Sequence, residues 1–231
     1  MEVGKRIYLQ RRLPSPDVLK GFAGICASNV CDVMNRNNAM NPRIRLMSSP
    51  AKKIMIGAAF TVKLRAGDNL VLHAAMNYCG EGDVLVVSNE ENYSRALAGE
   101  IMLEYMRNTS KISGIVIDGP IRDIDEISKW DFPVYAAGTT PAGPYKDGPG
   151  ELNVSITCGN IVVNPGDIFL ADADGVIVIP LKDAPEILEE ARKYKEIDNK
   201  KVEDVKKGSL DRTWVNKELH AKGYNIINDI Y

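Results

Sequence analysis

Histidine is nearly absent from this chain of 231 residues, with His73 and His220 as the only two. A zinc centre built on imidazole or a Ser-His-Asp triad has almost no bases to draw on, so carboxylates must supply any metal ligands. Cysteine is also sparse. Cys26, Cys31, Cys79 and Cys158 stand singly among apolar or small residues, with no C-x-x-C pair. They read as reduced thiols acting as small buried hydrophobes. No apolar run approaches the roughly 18 residues of a membrane span, and the opening MEVGKRIYLQRRLPSP has no signal-peptide core. The expectation is a cytoplasmic protein without a membrane partner. An excess of one charge is missing too, since Lys+Arg 29 against Asp+Glu 31 leaves −2. No global positive field draws such a chain onto nucleic acid.

What is present suits one well-buried core, with 45% hydrophobic and 26% charged residues. From Ser15 to Val33 apolar residues recur at near-helical intervals, which predicts one or two helices. Ile54 to Leu64 reads as a strand with a close backbone approach at Gly57. Asn69 is placed to cap a helix through Met76. Val84 to Val87 is a short apolar run of the kind found in strands covered on both faces. A helix between Ser94 and Arg107 and a strand from Gly114 to Asp118 complete a βαβ unit, which places chemistry at the carboxyl ends of its strands. A short helical segment from Ile124 to Lys129 and a strand from Phe132 to Ala137 follow. Gly and Pro dominate from Gly138 to Gly150, and short strands with hairpin-spaced turns run on to Ile179. A charged amphipathic helix from Asp183 to about Lys207 closes the pattern. The reading is one α/β domain over residues 1–207 with mixed strand directions, and a tail over 208–231 that packs on a neighbouring subunit or forms a local lid.

The stretch Asp118-Gly119-Pro120-Ile121-Arg122-Asp123-Ile124-Asp125-Glu126 leaves an apolar strand and at once concentrates four acids and an arginine. Gly119 and Pro120 stiffen the turn. Asp123 is suited to hold Mg2+ or Mn2+ with waters filling the other positions, and Arg122 to neutralise a developing oxyanion. The same spacing also fits an Arg122–Glu126 ion pair with Asp123 capping the short helix.

GPIRDIDEI, followed by FPVYAAGTTPAGPYKDGPGELNVSITCGNIVVNPGDIFLADADGVIVIP, resembles the RraA-like family, which includes 4-hydroxy-4-methyl-2-oxoglutarate aldolases. Asp68-Asn69-Leu70 with His73, Gly82 to Val87, and Arg95 with Gly99-Glu100-Ile101 extend the resemblance from about Ser15 to Glu196. It implies a layered α/β/β/α sandwich with a mixed sheet, like the swivelling phosphohistidine-type domain, assembled as a homotrimer or hexamer with shared active sites. It also implies a metal-dependent lyase: Asp123 as direct ligand of Mg2+ or Mn2+, Arg122 facing the substrate, and a 4-hydroxy-2-oxo acid cleaved to pyruvate. Decarboxylation of oxaloacetate is the expected second activity. Glu100, Glu126 and Glu196 are implied as water-bridged groups, Glu196 from the neighbouring subunit. The amides of Ala98, Gly99, Glu100 and Ile101 would hold the substrate carboxylate if a helix begins near Gly99, whereas a cap at Ser94 would move the free amides earlier.

One departure stands out. The family's aldolase pattern places a glycine twenty residues before the arginine, but 22 residues separate Gly99 from Arg122, and Ile101 holds the family spacing. His73 reads as a hydrogen-bonded core or interface residue rather than a catalytic one, and Lys146 and Asp147 as a solvated turn rather than a rim of the site. Asp172-Ala173-Asp174-Gly175 reads as a hairpin turn, since the rest of a calcium loop is missing. The rival reading is a non-enzymatic regulator that binds an RNA-processing nuclease or helicase. A third label attached to the family, quinone methyltransferase, lacks a glycine-rich nucleotide fingerprint here.

Overall fold

A computed structural model describes residues 2–52 and 54–231. The chain forms two compact units, Met1–Arg192 and Lys193–Tyr231. The first is a mixed α/β unit. Its helices are α1 (Pro16–Gly21), α2 (Ala27–Val33), α3 (Leu70–Ala75), α4 (Glu100–Tyr105) and α5 (Ile124–Ile127), with the first turns of α6 (Ala184–Lys206). The long strands are β2 (Met55–Leu64), β3 (Asp83–Ser88), β4 (Gly114–Ile121) and β5 (Val134–Thr139). Shorter ones are β1 (Arg45–Leu46), β6 (Gly150–Leu152), β7 (Ile156–Cys158), β8 (Ile161–Val163), β9 (Ile168–Asp172) and β10 (Gly175–Ile179).

The main sheet runs β1-β5-β4-β3-β2-β9-β10, with β6 also paired to β2. Its centre, β2 to β5, is parallel, and β1, β6, β9 and β10 join antiparallel. Every residue of β3 and β4 is buried, which is why these strands read as near-continuous apolar runs. Alternation then sorts their side chains. Leu85, Val87, Ile115 and Ile117 face a core under α3 and α4. Val84, Val86 and Val116 face the opposite way, against Ile156, Cys158 and Val163 of the small β7–β8 sheet. A third core joins Ile168, Leu170, Ile177 and Ile179 to α1, α2 and Leu188 of α6. The close approach expected at Gly57 is present: a Cβ there would lie 2.6 Å from the Gly82 carbonyl oxygen.

Several local expectations are corrected. The helix anticipated from Ser94 begins only at Glu100 and runs on from Tyr105 as a π-helical turn, Met106–Ser110. Ser94 spends its N–H and hydroxyl on Asn92 Oδ1, while the Leu97 N–H bonds the Pro120 carbonyl. The backbone before Gly99 is thus satisfied by strand-like pairing beside β4, with Ala98 bridged to Ile121. Asn69 does not cap α3 through its side chain; Asp68 Oδ1 accepts the Leu70 N–H at 2.9 Å instead. Cys79 and Cys158 are buried as expected, but Cys26 is exposed at the N-cap of α2. The hairpin turn at Asp172 is observed, and its Oδ2 reaches across to the Ala27 N–H at 2.8 Å. In the second unit, α7 (Thr213–Ala221) has no buried residue. Among the described residues, no helix is long and apolar enough to cross a membrane.

Candidate functional site

The carboxyl end of β4 carries Arg122 and Asp123. Asp123 stands at the N-cap position of α5 with φ 62° and ψ 37°, a left-handed conformation that Asp tolerates better than most residues. Its side chain does not cap α5. Oδ2 instead accepts the N–H of Glu100, the first residue of α4, at 3.0 Å. The carboxylate therefore satisfies one of the first-turn N–H groups that a helix leaves without internal partners, and it gains from the positive end of the helix dipole. Arg122 Nε lies 3.6 Å from the same Oδ2, and the two side chains remain 46% and 41% exposed. The local pairing that spacing permits does not form: Arg122 faces Asp123, and Glu126 pairs with Lys129 at 2.9 Å.

Gly99 is the piece that brings these groups together. Its φ of −142° and ψ of −170° are open to any residue, so the demand for glycine is spatial. A Cβ there would collide with Asp123 Oδ2 and sit 2.8 Å from Arg122 Cγ. The glycine needed beside the arginine and aspartate is thus Gly99, not the residue at the family spacing. Ile101 is 84% exposed. The bridge between Ala98 and Ile121, with the Arg122 N–H bonding the Ala98 carbonyl at 3.0 Å, sets this register.

Arg122, Asp123, Ala98, Gly99 and Ile101 line a cleft of about 180 Å³. The same lining includes Asn69, His73 and Lys146, which the sequence favoured as a helix cap, a core residue and part of a turn. The Asn69 amide donates to the Leu97 carbonyl at 2.8 Å, while Asn69 Oδ1 and His73 Nε2 are buried without a partner among the described residues. Burial, with the charge of Lys146 added, pushes the His73 imidazole below its usual range. Lys146 sits on the Gly/Pro loop, which Arg95 ties down through the Gly143 carbonyl at 2.8 Å and the Tyr145 hydroxyl at 2.6 Å. Only the period-free Gly/Pro composition of that loop signalled it, and composition does not say where a loop folds.

Asp118, the first acid of the motif, lies elsewhere. It points to the face of Val116, where it is 4% exposed and receives Arg43 Nε and Nη2 at 2.9 Å each and the Gly159 N–H at 2.7 Å. Counting by two from Val116 along β4 gives that direction from sequence. Glu100 takes part through its backbone. Glu196 lies on α6 within the second unit. Among the described residues no group of three or more His, Cys, Asp or Glu side chains is placed to hold a metal ion.

Residues 27–178 match the RraA-like family, described as aldolase/RraA. A relative from Halalkalibacterium halodurans bearing the name "Putative 4-hydroxy-4-methyl-2-oxoglutarate aldolase" is 37% identical over 205 residues, covering 88% of this chain and 96% of its own. An uncharacterized protein of Methanocaldococcus jannaschii is 30% identical over 220 residues, 94% of this chain and all of its own. In fold, the chain is similar to Streptomyces coelicolor RraAS2, described as an unusual member of the RNase ES inhibitor RraA protein family. The TM-score is 0.73 at 22% identity, over 82% of this chain and 98% of that one. The chain belongs to the RraA-like, aldolase/RraA family.

Proposed function

We propose that this protein is a divalent-metal-dependent lyase that cleaves a 4-hydroxy-2-oxo acid such as 4-hydroxy-4-methyl-2-oxoglutarate to pyruvate and decarboxylates oxaloacetate as a second activity. The observation that carries the reading is the Asp123 carboxylate, turned away from its own helix to the start of α4, beside Arg122 at a cleft. The aldolase name of the 37% identical relative supports the same reaction class.

The donor set fits Mg2+ or Mn2+. A half-exposed carboxylate with one oxygen steadied by an N–H suits a hard cation that keeps most of its waters. Bound there, such an ion supplies Lewis-acid stabilisation of charge developing on the 2-oxo group. Arg122 holds a fixed positive charge beside the same oxygen and offers planar donors to it. The N–H of Glu100 is spent on Asp123, so the first-turn groups of Ile101 and Met102 are the amides suited to a substrate carboxylate. Lys146, on the opposite rim, meets the far end of the substrate. Glu100 and Glu126 steady water near the ion. Glu196 of a neighbouring copy does the same in a homotrimer or hexamer with shared sites, an assembly supported by the exposure of Ile101 at the mouth of the cleft.

Pyruvate release from both substrates, measured with added Mg2+ and after chelation in a lactate-dehydrogenase-coupled assay, tests the proposal. Release that needs the ion and disappears in Asp123→Asn is the expected result; full activity in that variant overturns it. The likeness to RraAS2 supports a second reading, a binding protein for an RNA-processing nuclease. Silence on both substrates together with saturable binding of a purified ribonuclease would favour it.

A further inference from the structure

A buried carboxylate that takes no part in this chemistry joins the two walls of the cleft. Asp68, just before α3, is 1% exposed. Its Oδ1 accepts the Leu70 N–H at 2.9 Å, at the start of the helix that carries His73. Its Oδ2 accepts two N–H groups of the Gly/Pro loop, Asp147 at 2.7 Å and Gly148 at 3.0 Å. Arg65 approaches Oδ2 at 3.6 Å. The contacts thus fall on the residues next to Asn69 and Lys146, both of which line the cleft.

Burial opposes the charge on Asp68, but the N–H groups of Leu70, Asp147 and Gly148 and the Arg65 guanidinium outweigh it and hold the carboxyl below the usual carboxylate range. Hydrogen bonds to an ionised acceptor are about twice as strong as neutral ones. Arg95 and the backbone pairing of Tyr145 with Gly67 and Asn69 hold the loop up to Tyr145, and beyond it the Asp68 carboxylate takes the next free N–H groups, while Lys146 itself is exposed. Its ammonium can be aimed only through its backbone.

We propose that Asp68 is a positioning residue: it clamps the Gly/Pro loop to the start of α3 and so fixes Lys146 over the cleft to meet the substrate end remote from the scissile bond. The inference rests on the lyase reading above. A tether of this kind acts on substrate binding more than on turnover, because none of its contacts falls on Arg122 or Asp123 themselves.

The test is a double-mutant cycle on the full chain with Asp68→Ser and Lys146→Ala. Serine keeps an oxygen for the Leu70 N–H but is too short for the loop amides, so the helix cap survives and the tether does not. Each single variant is expected to raise KM for 4-hydroxy-4-methyl-2-oxoglutarate about tenfold with kcat changed less than about threefold, and the double variant to be no worse than Lys146→Ala. Amide exchange at Asp147 and Gly148 is expected to quicken while the α3 amides keep their protection. Additive losses in the double variant, an unchanged KM, or a fall confined to kcat overturns the inference and leaves the lyase reading standing. A wild-type enzyme that releases no pyruvate overturns that reading, and the inference with it. If Asp68→Ser does not fold, Asp68→Asn, close to isosteric, is read through the same cycle.

Discussion

Gly99→Ala adds one methyl group at the point where α4 meets the end of β4. The backbone there is extended and accepts alanine, so the whole effect comes from space. The new Cβ would overlap Asp123 Oδ2 and lie 2.8 Å and 3.0 Å from Arg122 Cγ and Nε. Nonbonded heavy atoms settle at about 3.5 Å, so the carboxylate must retreat by about 1 Å and give up its 3.0 Å bond from the Glu100 N–H. Misplacing a catalytic group by about 1 Å costs roughly 100-fold in rate. Stability should suffer much less. Both side chains are near half exposed and can swing into water, so the overpacking cost falls at the low end of its range, about 1 kcal/mol, or roughly 2–4 °C in melting temperature for a domain of this size. Coupled pyruvate release and a thermal melt of the same sample check both halves. A Gly99→Ala protein with wild-type kcat/KM would refute the assignment of Asp123 and Arg122 as the working pair.

Asp123→Asn keeps a residue at ease in the left-handed region but removes the charge, and pyruvate formation should drop at least about 100-fold with little change in the melt. Arg43→Ala strips both guanidinium bonds from the buried Asp118 and leaves it the Gly159 N–H; urea unfolding should show a loss of about 3 kcal/mol, and a loss near zero would mean that water replaces the arginine. The Arg6 guanidinium outweighs burial and holds Glu151 below the usual carboxylate range, as backbone donors do Asp68. A lowered folded-state pKa gives stability that is present above the unfolded value and is lost as pH falls through the folded one. The urea midpoint should therefore decline as pH drops below the ordinary Glu and Asp values of 4.5 and 3.8, and Glu151→Gln should flatten the decline; an unchanged slope would count against the Arg6 contact.

Much of this architecture is written in local pattern. The apolar runs of β3 and β4 show that they are central strands because strands buried on both faces leave no polar period, and Gly57 marked the close approach of β2 to Gly82. The place of Arg122 and Asp123 at a strand end was legible because they follow such a run, and turn residues marked the hairpin at Asp172. Even the inward turn of Asp118 follows from alternation along β4.

What sequence could not supply were contacts between residues far apart in the chain. Gly99 is separated from Arg122 by 22 intervening residues, and only the pairing of Ala98 with Ile121 shows that this glycine, rather than Ile101, faces the carboxylate. Spacing alone left Asp123 as a helix cap; tertiary structure turned its oxygen to the start of a different helix. Asn69 and Lys146 line one cleft where the loop docks through the Tyr145 backbone and the Asp68 carboxylate, contacts made largely by backbone groups that carry no sequence signal. Hydrophobic period fixes which elements form and which face they bury, since both are local consequences of side-chain direction. The site depends on register and loop docking, which are decided only when distant backbone groups find their partners.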